Sequence, residues 1–120
     1  MAMRAVRGAT CLRADDPEEM VEAVVELMTA MLERNRITTD DLVSVILTAT
    51  PDLVSEFPAT AARRMGIGDV PLLSAQEIGV VGAMERVVRV LAHIDIDRPR
   101  AEIVHVYLRG AEALRRDLAQ

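Results

Sequence analysis

One stretch of this chain, from Pro17 to about Arg34, carries the periodicity of a long amphipathic helix, and that limits what the rest can fold into. Met20, Val24, Leu27, Met28 and Met31 fall on one helical face. Val21, Val25 and Leu32 widen this stripe, while Glu22, Glu26 and Glu33 point elsewhere. Asp16 can cap the start, Pro17 suits the first helical position, and Glu19 completes a capping-box-like spacing. Asn35 stands near the stop. A Met-rich stripe of this kind belongs in a core rather than around a ligand.

Most of the remaining apolar sequence is β-branched and reads as strand. Met3 to Arg7, followed by Gly8, is a first short strand. After a capped turn at Thr39-Asp40-Asp41, Leu42 to Thr50 (LVSVILTAT) is a central strand, ended by Pro51-Asp52. Phe57-Pro58 opens a second, shorter helix from Ala59 to about Met65, stopped by Gly66 and Gly68. Val70 to Leu73 is a brief strand. Residues 84–95 admit two readings. A helix would pair Glu85 with Arg89 at i,i+4. The β-branched density favours a strand with Val88, Val90, Ala92 and Ile94 on one face and Val87, Arg89, Leu91 and His93 on the other. Pro99 breaks the chain. From Ile103 to Arg109 the pattern alternates, with Val104, Val106 and Leu108 opposite His105, Tyr107 and Arg109.

Five strands and two helices predict an α+β fold: a five-stranded sheet with a long and a short helix on one face. The 120 residues form a single domain, 1–120, with a short charged tail from about residue 110. So few helices leave one sheet face poorly covered. Burial against other subunits is the economical remedy, so an oligomer is expected.

Composition excludes several chemistries. All 14 basic residues are Arg, so no Schiff-base lysine exists and every cationic contact falls to a guanidinium. The net charge of −5 argues against nucleic acid as a partner. A lone Cys11 cannot form an internal disulfide, and no catalytic motif surrounds it. His93 and His105 match no metal-binding spacing, and no phosphate loop with Lys is present, so neither a metal nor a cofactor is expected. No segment approaches ~20 apolar residues, and the N-terminus has no signal-peptide pattern, which predicts a cytoplasmic protein with no membrane partner. With no Trp, one Phe and one Tyr, the core must be aliphatic. Phe57 and Tyr107 are therefore not needed merely as bulk.

What stands out is a set of Arg7, Arg63, Arg89 and Arg115 with Glu77 and Tyr107. Arg89 interrupts the apolar run V-V-R-V-L. A guanidinium at a strand centre is costly unless it meets an anion. Two readings fit: a salt bridge to Glu85 or Glu77, or an anion site using paired N–H donors.

The segments RAVRGAT, TATPDLVSEFPATAAR, VPLLSAQEIGVVG, RVVRVLAHI and HVYLRGAEALRRDL run through the chain from end to end. In this order they resemble the small monofunctional chorismate mutases that form trimers with a pseudo-α/β-barrel core, not the all-helical class. The resemblance implies rearrangement of chorismate to prephenate, on the route to Phe and Tyr, without a cofactor. It implies catalytic roles for Arg89, at the breaking ether oxygen and a carboxylate, and for Glu77, at the ring hydroxyl. It gives Arg7 and Tyr107 a substrate carboxylate, Arg63 and Arg115 a peripheral attraction for the dianion, Phe57 an apolar wall, and Ser74 a small polar position. Leu114 and Arg115 belong to a mobile tail that folds over ligand. The sites are implied to lie between subunits of a homotrimer. Phe57 and Arg63 would then meet Arg7, Glu77, Arg89 and Tyr107 of the adjacent chain. Two departures stand out: family members can carry Lys where this chain has Thr60, and Cys where it has Ser74. The rival reading is an imine-deaminating, YjgF-like trimer or another ligand-binding trimer with arginine-lined clefts.

Overall fold

The computed structural model describes residues 2–118, with side chains described through Leu114. Five strands form a sheet: β1 (Met3–Cys11), β2 (Leu42–Ala49), β3 (Leu72–Gln76), β4 (Val87–Asp95) and β5 (Val106–Tyr107). Their spatial order is β3-β2-β4-β1-β5. The sheet is mixed: β4 pairs antiparallel with β1 and β2, while β3 joins β2 and β5 joins β1 in parallel. Two helices, α1 (Pro17–Arg34) and α2 (Ala59–Arg64), share one core with the sheet.

Helix α1 begins where the sequence places it. The Asp16 carboxylate accepts from the Glu19 N–H at 2.8 Å. Only half of the expected capping box forms, because the Glu19 carboxylate turns to the Arg13 N–H at 2.6 Å. Met20, Val24, Leu27, Met28 and Met31 are all buried against the sheet. The facing positions are Val6, Gly8, Leu47, Val90 and Ile94. Gly8 makes the close approach possible: a Cβ there would collide with the Met31 sulfur and lie 3.1 Å from Leu27 Cδ1. Helix α2 ends at Met65, where Gly66 takes a left-handed φ of +80° and the Ile67 N–H reaches back to the Ala62 carbonyl.

Four strand limits differ from the sequence reading. β1 runs through Cys11 rather than ending at Arg7, because Gly8 is a packing residue and not a stop. β3 lies at Leu72–Gln76, displaced from Val70–Leu73, since pairing with β2 from Val45–Leu72 to Ala49–Gln76 sets its register. Of residues 84–95, the strand takes Val87–Asp95, and Glu85 pairs with Arg86 at 3.3 Å instead of sitting in a helix. β5 shrinks to Val106–Tyr107. The buried Asn35 side chain accepts from the Val104 N–H and donates to the Val104 carbonyl, both at 2.8 Å. A side chain thus replaces the neighbouring strand, and Val104 is exposed instead of sharing the buried side of Val106. Arg109 likewise leaves the face of Tyr107 and turns toward α1.

The alternation in β4 holds. Val88, Val90, Ala92 and Ile94 are buried under the helices, while Arg89, Leu91 and His93 face away, with Val87 buried as well. By register, Ala5, Arg7, Ile46, Thr48 and Tyr107 share the face of Arg89 and Leu91. Neither α1 nor α2 covers this face.

Candidate active site

The uncovered face carries a cavity of about 290 Å³ whose lining includes Arg7, Thr48, Arg89, Leu91, Tyr107 and Leu114. Three strands place its cations and phenol. Arg89 sits opposite Thr48 on β2 and Ala9 on β1, and Ala9 sits opposite Tyr107 on β5. Ala9, flanked by both, is small enough to leave space above the sheet.

Glu77 follows β3 and is held by its own N–H, which donates to the Ala49 carbonyl at 2.9 Å. Its carboxylate lies 3.2 Å from Arg89 Nε and accepts from Thr48 Oγ1 at 2.5 Å. Both sequence readings of Arg89 therefore meet in one geometry: it is paired, with Glu77 and not Glu85, and it also lines the cavity. The Arg89 side chain is 50% exposed and that of Glu77 16%. A pair this open to water contributes at most about 1 kcal/mol to stability. Its value is orientation. Nε is committed to Glu77, and among the described residues the terminal guanidinium nitrogens have no protein partner. An anion in the cavity can take them.

Phe57, Pro58 and Ser74 lie elsewhere, in a second cleft of about 470 Å³ that also includes Val54, Glu56 and Gln76. Ser74 pairs with Leu47, on the helix side of the sheet, whereas the neighbouring Ala75 pairs with Thr48 on the open side. Phe57 is 67% exposed. Arg63, on the exposed side of α2, approaches Thr60 Oγ1 at 3.4 Å. Within one chain, the expected site residues thus form two groups on opposite faces of the sheet edge. Arg7, Glu77, Arg89, Tyr107 and Leu114 make one group; Phe57, Ser74 and Arg63 make the other. The side chain of Arg115 lies outside the described residues.

Sequence reasoning missed two supporting groups. Thr48 stands inside TATPDL, but its hydrogen bond to Glu77 depends on the β2–β3 register. His105 Nδ1 accepts from the Arg7 N–H at 2.9 Å, which fixes the backbone under a cavity arginine. The alternation IVHVYLR put His105 beside Tyr107, the signal that could have found it. His93 Nδ1 lies 3.2 Å from Ser44 Oγ. Burial pushes the Cys11 thiol up, Glu112 adds to this, and Arg86 opposes it, which favours the protonated thiol. Among the described residues no helix is long and apolar enough to cross a membrane.

Comparisons with known proteins point to one family. The family model described as chorismate mutase type I matches residues 3–118. The chain is 49% identical over 117 residues to chorismate mutase AroH of Thermus thermophilus, covering 97% of this chain and 96% of that one. It is 38% identical over 120 residues to chorismate mutase AroH of Bacillus subtilis, covering 99% and 94%. A solved chorismate mutase from Clostridium thermocellum superposes with a TM-score of 0.89 at 40% identity, covering 91% of this chain and 97% of that one. With its α+β fold matched and its length covered almost completely, this chain belongs to the chorismate mutase type I family.

Proposed function

We propose that this protein rearranges chorismate to prephenate, with Arg89 and Glu77 as its catalytic residues. The observation that carries this reading is the Glu77-oriented guanidinium of Arg89 at the wall of a cavity shared with Arg7 and Tyr107. The reaction is a unimolecular pericyclic step, so it needs a fixed shape and fixed charges rather than a nucleophile. As the ether bond of chorismate breaks, negative charge grows on its oxygen. A guanidinium held in place beforehand stabilises that charge more than it stabilises the substrate, which is what lowers the barrier. Glu77 accepts from the ring hydroxyl and at the same time aims Arg89. Arg7 and Tyr107 hold a carboxylate, Leu114 closes one side, and Arg115 adds attraction for the dianion.

The two separated groups of site residues favour a homotrimer with sites between subunits. Phe57, Ser74 and Arg63 of one protomer would face Arg7, Glu77, Arg89 and Tyr107 of the next. Two neighbouring surfaces fit that role: the uncovered sheet face, and an apolar edge of Leu73, Ile78, Val80 and Val81. The test is direct. Purified protein is incubated with chorismate while its ultraviolet absorbance is followed, and its mass is measured by light scattering. Conversion above the spontaneous rate, by a species three chains in size whose specific activity falls on dilution, is expected. No conversion would leave the imine-deaminase-like or pure ligand-binding reading in its place.

A further inference from the structure

A cluster of charges outside the cavity has no part in the proposed chemistry, yet it lies between two segments that do. The chain leaves Tyr107 and reverses at Leu108–Ala111. The Ala111 N–H donates to the Leu108 carbonyl at 3.0 Å, and the two central residues are left-handed, Arg109 at φ 53° and Gly110 at φ 92°. This is the backbone of a primed turn, which favours Asn-Gly or Asp-Gly. Gly110 suits it; Arg109 does not, because an L side chain with a Cβ rarely enters this region. Something must hold Arg109 there. Its Nε lies 3.1 Å from Glu26 Oε1, and its Nη1 lies 3.9 Å from Glu19 Oε2, both on α1. Glu19 is itself fixed by the Arg13 N–H. Beyond the turn, Ala111 is fully buried, and Leu114 reaches the cavity of Arg7, Arg89 and Tyr107.

We propose that Arg109 and Glu26 form a clasp that anchors residues 110–114 to α1 and so pre-orders Leu114 at the substrate cavity. Resting on the functional reading above, this makes Arg109 and Glu26 positioning residues for capture of the dianion, with no contact to the reacting atoms. Holding residues 110–114 in place before substrate arrives removes an entropic cost from binding. The clasp therefore acts on KM and leaves the bond rearrangement alone.

The test combines kinetics with a measurement that needs no substrate. Glu26→Gln, Arg109→Gln, the double variant and Arg109→Lys are compared with the parent for kcat and KM toward chorismate. Amide hydrogen exchange of residues 110–114 is followed in the free proteins. A partly exposed ion pair sets the scale, so KM should rise roughly two- to fivefold in either Gln variant, with exchange faster by a similar factor. kcat should stay within about twofold, the double variant should be no worse than Arg109→Gln alone, and Arg109→Lys should stay near the parent. Unchanged KM and exchange in both Gln variants would overturn the clasp. So would a fall in kcat that tracks a lowered melting temperature, which is the mark of a merely structural pair. If the parent failed to convert chorismate, the functional reading would fall, and exchange alone would still decide whether the clasp holds the tail.

Discussion

Replacing Arg89 with Lys tests the chemistry most sharply, because it keeps the charge and removes the geometry. In the proposed site Arg89 serves Glu77 through Nε at 3.2 Å while its terminal nitrogens serve the substrate. A guanidinium does this with five N–H groups fixed in one plane. An ammonium has three donors on one nitrogen, and it cannot reach the carboxylate of Glu77 and an ether oxygen in the cavity together. The fold should not suffer. The Arg89–Glu77 pair contributes at most about 1 kcal/mol, since the Arg side chain is half exposed, and Lys can retain part of it. The transition state should suffer heavily. Losing one pre-organised donor at a developing oxyanion costs about 2.7–4 kcal/mol, or roughly 10²–10³ in kcat. Steady-state absorbance assays with chorismate give kcat and KM separately, and a circular dichroism melt reports the fold. The expected variant melts within a few degrees of the parent and has lost kcat by that factor. A folded Arg89→Lys protein with kcat within about tenfold of the parent would refute the claim that guanidinium geometry carries the reaction.

Three further outcomes follow from the supports of the site. Gly8→Ala should destabilise the fold by about 1–3 kcal/mol in urea unfolding, toward the lower end because the Met31 side chain can shift. Asn35→Ala should lower urea-unfolding stability by about 1–2 kcal/mol, since Val104 loses both partners but is open enough for water to replace them. Asp15 has its pKa lowered, first by a hydrogen bond from the Ser55 side chain; desolvation, next in size, opposes this, and the Val54 and Ser55 N–H groups lower it further. A depressed carboxylate contributes fully above its unfolded pKa of about 3.9 and is lost as pH falls through the folded value. Protection of the Val54 and Ser55 amides, relative to their intrinsic exchange rates, should therefore fall below about pH 4, and Asp15→Asn should show lowered protection already at pH 7.

The elements with local signals were legible. The Asp16 cap, the Met stripe of α1, the LVSVILTAT strand and the glycine stop of α2 each declare themselves within a few residues. The inside–outside alternation of β4 could be read because its buried side is continuously β-branched. The limits of β1, β3 and β5 could not, because distant partners set them. Gly8 looks like a terminator until Met31 and Leu27 are seen above it. Ser74, Ala75 and Gln76 are poor strand formers and enter β3 because β2 offers them an edge. Asn35 looks like a helix stop, and it is one, but its amide also ends β5 by occupying Val104. The same division holds at the site. Arg89 announced itself by interrupting an apolar run, yet composition and spacing could not choose between Glu77 and Glu85. Only the register that brings Thr48 level with both Ala75 and Arg89 settles the partner.

The shortage of helix noted at the outset has a consequence for catalysis. An uncovered sheet could have been hidden anywhere, but here the exposed apolar edge of Leu73, Ile78, Val80 and Val81 borders the chemistry. Leu73 lies one residue from Ser74, and Ile78 one residue from Glu77. Within one chain the cleft of Phe57 and the cavity of Arg89 stay separate, and one copy of this chain does not join them. A second copy can, and the contact that would hide this edge is the contact that would bring the halves together. In the proposed trimer, association and assembly of the active site are then a single equilibrium. Substitutions such as Leu73→Asp should lower activity through subunit exchange at fixed concentration. They should leave the kcat of the assembled fraction intact, which sedimentation with parallel activity measurements can separate.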